Sequence, residues 1–134
     1  MRNDAFASLL AQVIWETGRA IKPVIERGSI AYLTSRPYYP WIGNGLIQPT
    51  WEANYKKFGI TKWVDAGTWE NSLRICFEGM VKGMFTGKKL DDYFNAAKTD
   101  FFNARRIVNG LDQAHIIEVM SLAIYAGLQS SSLS

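Results

Sequence analysis

The sequence predicts a mainly α, α+β fold in which helices pack around one small wing of loop or short strand. Three observations predict it. Apolar residues recur at helical spacing along several segments, most clearly at Leu73, Cys76, Phe77, Met80, Val81 and Met84. One stretch, from Arg36 to Pro49, is instead dense in Pro, Gly and aromatic residues. The third is size and composition: 134 residues, 48% hydrophobic and 20% charged, suit one globular domain over 1–134 with a single core.

In chain order, the first helix is expected from Asn3 or Asp4, either of which can cap it, to Thr17, with Gly18 as its stop. Val24 to Leu33, after Pro23, reads as irregular or briefly extended, and 36–49 forms the wing. Helical pattern resumes over Trp51–Phe58 and ends at Gly59. A longer helix runs from a Thr68 cap to about Met84, before Gly87. A short helix around Leu90–Phe94 precedes one from Thr99 or Asp100 to Val108, stopped by Asn109-Gly110. The last helix, about Asp112 to Leu128, is expected to turn Ile116, Val119, Met120 and Ala123 inward, and 130–134 to be a frayed tail.

Composition narrows the chemistry. Fifteen basic and twelve acidic residues leave a net charge of +3, without the Lys/Arg block of a nucleic-acid stripe, so no nucleic-acid partner is expected. One Cys and one His exclude a disulfide framework, and no HExxH or CxxC spacing suggests a metal site. Cys76 falls on an apolar stripe, where it reads as a small core residue, and His115 has no nucleophile elbow to serve. No cofactor is expected. Without a signal-like leader or a run of about 18 apolar residues, the chain is expected to be made in the cytoplasm without membrane insertion.

Glu16 is the residue that helix periodicity places awkwardly. Leu9, Val13 and Glu16 share one stripe, which should face the core, and an acid there is costly unless it has a task. Burial and the negative end of the helix dipole both favour its protonated form, as a general acid requires. The ordinary alternative is a helix-end acid paired with Arg19 or Lys22.

The segments around it carry a resemblance. Glu16-Thr17-Gly18-Arg19 followed by Ile25-Glu26-Arg27-Gly28 resembles the catalytic stretch of glycoside hydrolase family 19, particularly the chitinase-like endolysins of phages and prophages. Tyr38 to Tyr55, with Gly43-Asn44-Gly45-Leu46-Ile47-Gln48-Pro49-Thr50-Trp51, is similar to that family's Gly-Arg-Gly-Tyr-Val-Gln-Leu-Thr-Trp signature. Gly87-Lys88-Lys89-Leu90 and Thr99 to Gly110 are similar to its C-terminal block.

The resemblance implies a lysozyme-like fold with a substrate cleft. It implies hydrolysis of the β-1,4 bond between N-acetylmuramic acid and N-acetylglucosamine, or of chitin-like polymers, after release to the cell wall. Glu16 matches the family's acid and Glu26 its base, and Thr50 matches the hydroxyl that orients the attacking water. Gln48, Asn54 and Asn109 match its sugar-binding amides, and one of Tyr38, Tyr39 and Trp41, with Tyr39 put forward, is expected to stack on a sugar ring. Each has an ordinary alternative: Glu26 as a surface acid beside Arg27, Thr50 as a helix N-cap, Asn109 as a helix C-cap. A non-catalytic wall-binding relative of the fold is also open. Departures are Trp15 for His, expected to make the surroundings of Glu16 drier, Asn44 for Arg, and Pro49 for Leu. Relatives carry helices before the catalytic one, so a partner or a missing N-terminal segment is expected over the first helix.

Overall fold

Short apolar runs broken by Gly and by polar caps give a chain that is 55% helix and 6% strand, so the mainly helical expectation holds, with the strands of the described residues confined to two small two-stranded sheets. The computed structural model describes residues 1–132. Contacts divide the chain into two compact units, one of residues 16–77 and one of Met1–Trp15 with the chain from Glu78 onward.

Helix α1 spans Asn3–Glu16 and buries Ala5, Ala7, Leu9, Ala11 and Val13. The stripe through Leu9 and Val13 is core as expected, but it stops there. Glu16, the last helical residue, is partly buried, and Trp15 beside it is 36% exposed. The helix ends where Gly18 takes a φ of 59°, and the Thr17 hydroxyl accepts the Ile21 N–H at 3.0 Å. Asp4 lies in the first turn and does more than begin the helix. Its carboxylate takes both Nε and Nη2 of Arg2, the Ala5 N–H, and the Thr99 hydroxyl at 2.9 Å.

In the unit of residues 16–77, β1 (Val24–Ile25) pairs antiparallel with β2 (Asn44–Gly45), Val24 opposite Gly45. Between them, Ile30–Thr34 forms helix α2, which corrects the expectation of irregular chain to Leu33. It buries no residue, so no apolar pattern announced it; the signal is Ser29, whose hydroxyl accepts the Tyr32 N–H at 3.1 Å. Helix α3 spans Glu52–Lys57, and a 3-10 turn covers Trp63–Gly67. The core holds Ile42, Leu46, Ile47, Tyr55, Phe58, Ile60, Ala66, Ile75 and Cys76.

Helix α4 (Trp69–Lys82) starts as expected, with the Thr68 hydroxyl accepting the Asn71 N–H at 3.2 Å. Only part of its expected stripe is buried: Cys76 and Met80 are core, while Leu73, Phe77 and Val81 are exposed. Burial pushes the Cys76 thiol up to about 12, as befits a core residue rather than a nucleophile.

In the other unit a 3-10 turn at Leu90–Asp92 leads into the hairpin of β3 (Phe94–Asn95) and β4 (Lys98–Thr99). The helix expected from Thr99 or Asp100 to Val108 is therefore broken. Thr99 belongs to β4, the Asp100 carboxylate accepts the Asn103 N–H at 2.9 Å, and a 3-10 turn (Asn103–Arg105) passes into α5 (Arg106–Asn109). The last helix, α6, spans Ala114–Ser132, so most of the expected tail is helical; residues 133–134 lie outside the described residues.

The inward face of α6 also differs from expectation. Ala114, Ile117 and Ser121 are buried, whereas Ile116, Val119 and Ala123 are exposed and Met120 is half-buried. Apart from His115 and Glu118 the helix carries no acidic or basic side chain, so its apolar pattern selects no face. Phe94, Phe101 and Tyr125 form an aromatic cluster, with ring centroids 5.3 and 5.8 Å apart. Arg105, almost fully buried, donates from Nε to the Asp112 carbonyl at 2.8 Å and from Nη1 to Gln12 at 3.3 Å.

Candidate active site

Six of the seven residues singled out from the sequence lie in the unit of residues 16–77: Glu16, Glu26, Tyr39, Gln48, Thr50 and Asn54. The β1–β2 register sets the arrangement. With Ile25 opposite Asn44, the next pair outward is Glu26 and Gly43, and the Glu26 N–H donates to the Gly43 carbonyl at 2.7 Å.

The Glu26 side chain is then held at both oxygens. Oε1 accepts the Tyr38 hydroxyl at 2.6 Å, and Oε2 accepts the Gly43 N–H at 2.9 Å. A carboxylate oxygen accepts more than one hydrogen bond, so acceptor capacity remains on each. Hydrogen bonding to Glu26 and burial push the Tyr38 phenol up to about 12, which keeps it a donor throughout the physiological range. Below it Tyr55, fully buried, donates to the Ile42 carbonyl; burial, and secondarily the Glu26 charge, raise its phenol well above the ordinary value.

The residue after Glu26 reaches the turn at Gly18. A Cβ on Gly18 would lie 2.8 Å from Nη2 of Arg27, so the guanidinium rests against the turn that follows Glu16 and Thr17. Glu16 itself engages a partner in the fold, and it is half-buried at the helix C-terminus, where no basic residue stands in the last turn.

The wing loop spends much of its polarity on itself. Gln48 has a φ of 64°, and its Nε2 donates to the carbonyls of Val24 at 2.5 Å and Gly45 at 3.0 Å. The Asn54 amide donates to the Thr50 carbonyl at 2.8 Å. These two side chains, expected to meet sugar, have an amide group committed to backbone. Thr50 is not the N-cap of α3, because Trp51 occupies that position. The competing role for the Thr50 hydroxyl is thereby removed, and among the described residues that hydroxyl makes no hydrogen bond. Asn44 is buried, and its amide donates to the Trp63 carbonyl at 3.0 Å.

Aromatic surface lies beside the clamp. Tyr39 and Trp51 are each half exposed, and Trp51 meets Tyr38 edge-on with ring centroids 5.6 Å apart. Trp41 packs on Tyr55 at 5.1 Å. Of the three expected stackers, Tyr38 holds the carboxylate and Trp41 packs the loop, which leaves Tyr39 the open one. Reading the sequence missed the Gly43 N–H as a ligand of Glu26, and it placed Trp51 in a motif and at a helix start without seeing that its ring lies half exposed beside Tyr38. Asn109 belongs to the other unit, as the last residue of α5, before Gly110 at a φ of 53°. Among the described residues no His, Cys, Asp and Glu side chains gather as a metal site, and no helix is long and apolar enough to cross a membrane.

Comparison with protein-family models, with curated proteins and with solved structures returned no match.

Proposed function

We propose that the chain is a lysozyme-like glycoside hydrolase that cleaves the β-1,4 bond between N-acetylmuramic acid and N-acetylglucosamine in peptidoglycan. The observation that carries this reading is Glu26, a carboxylate fixed in orientation by a phenol and a backbone N–H, on a segment that rests against the end of α1 where Glu16 stands. Glycosidic cleavage needs one carboxyl that delivers a proton and one that stays ionised. In this mechanism Glu16 protonates the leaving oxygen. As the glycosidic C–O bond breaks and the water oxygen bonds to the anomeric carbon, Glu26 takes the water's proton, with the Thr50 hydroxyl available to hold that water in place.

The reading takes its substrate from the resemblance of the three sequence segments to family 19, and takes the wall as the site of action after release. Clearing of peptidoglycan suspensions by wild type, Glu16→Gln and Glu26→Gln tests it. Each variant is expected to lose at least about 100-fold in rate, and clearing at the wild-type rate by either one sinks its assigned role. Mass spectrometry of products from peptidoglycan and chitin oligomers separates a muramidase from a chitinase.

The commitment of the Gln48 amide to two backbone carbonyls favours one second reading, a wall-binding relative without catalysis. It requires polysaccharide binding with no clearing by wild type.

A further inference from the structure

We infer that Trp51 is a sugar-stacking platform, a subsite for an N-acetylated pyranose ring beside the clamped Glu26. The backbone is the first observation. Trp51 has φ 70° and ψ 139°, a conformation that glycine adopts freely and that strains a residue bearing a side chain. It is held there by its N–H donating to the Trp41 carbonyl at 3.0 Å and by the start of α3, where the N–H groups of Asn54 and Tyr55 donate to its carbonyl.

Burial does not repay that cost, because Trp51 is 49% exposed. Helix capping does not repay it either, since the side chain makes no cap hydrogen bond. The chain thus places its largest side chain where glycine fits the backbone better, and leaves half of it in solvent. Its neighbour explains the choice. Trp51 meets the Tyr38 ring edge-on, and the Tyr38 hydroxyl holds Glu26, so the platform and the carboxylate share one intermediary. An indole face offers a pyranose ring a flat apolar surface for its axial C–H groups, with no demand on the sugar's hydroxyls. Tyr39, also half exposed, extends the aromatic surface.

The identity of the ligand rests on the proposed function; the platform does not need catalysis. The test is calorimetric titration of the full chain, in a Glu16→Gln background that blocks turnover, with the β-1,4 tetramer of N-acetylglucosamine. Trp51→Gly relieves the backbone and is expected to keep or raise Tm while weakening binding about tenfold, and Trp51→Phe to stay within about threefold of the parent. Unchanged binding by Trp51→Gly, its failure to fold, or no binding by the parent overturns the inference. Loss of binding in Trp51→Gly together with wild-type clearing by Glu16→Gln instead overturns the acid role and leaves the platform standing.

Discussion

Tyr38 donates its hydroxyl to Glu26 at 2.6 Å, across the twelve positions that separate them in sequence. The bond has a titration signature. Hydrogen bonding to Glu26 comes first among the causes that push the Tyr38 phenol up to about 12, with burial and the carboxylate's charge adding to it. Tyr32, whose ring stacks under the Arg36 guanidinium, acts in the same direction, and Arg36 opposes it. Because the folded value lies above the ordinary 10.0, the native state holds the phenolic proton more tightly than the unfolded chain. The associated stability is complete below about pH 10 and is lost as pH rises through about 12. Glu26→Gln is expected to bring the phenol back toward its ordinary value and to flatten the loss of stability in that window. Ultraviolet difference titration of the phenols and denaturant unfolding between pH 9 and 12 check both.

Thr50 separates catalysis from stability. Its hydroxyl makes no hydrogen bond among the described residues, and the α3 cap position belongs to Trp51. Thr50→Val keeps the β-branched shape and removes only the hydroxyl. Unfolding free energy is expected to stay within about 0.5 kcal/mol of wild type. If Thr50 orients the attacking water, clearing falls about 100-fold with the fold intact. Unchanged clearing would assign the water to Glu26 alone.

How much of this was legible in the sequence depended on whether the signal was local. Helices α1 and α4 were found because Leu9 and Val13, or Cys76 and Met80, recur on a buried face, and because Thr68 and Gly18 mark ends with side-chain or backbone chemistry of their own. Helix α2 and the β3–β4 hairpin bury too little, or are too short, for periodicity to register. Helix α6 failed in the opposite way, being apolar on all sides, so that Ile116 and Val119 looked no less internal than Ile117.

At the site, Glu26 and Thr50 stood out by residue type and order, but the clamp did not. It depends on the register that sets Glu26 against Gly43, and on a loop that returns Tyr38 to the same carboxylate. Glu16 was placed on its helix, as its last residue, and is partly buried, one turn beyond Val13, the last fully buried position of the stripe.

Asn44 is fitted closely into the wing. The side chain is buried, its amide donates to the Trp63 carbonyl at 3.0 Å, and Gly67 approaches so closely that a Cβ there would lie 2.7 Å from the Asn44 oxygen. The amide therefore ties β2 to the 63–67 turn, packed closely against Gly67. Asn44→Ala leaves the Trp63 carbonyl without this donor and is expected to cost about 1–3 kcal/mol. Asn44→Arg must displace the turn or expel a guanidinium from the wing, and overpacking adds about 1–3 kcal/mol of its own. Asn44→Arg should thus lower stability and activity together, unless the 63–67 turn is rebuilt with it. Denaturant unfolding of both variants decides the point, and an Asn44→Arg chain as stable as wild type would show that the turn yields without cost.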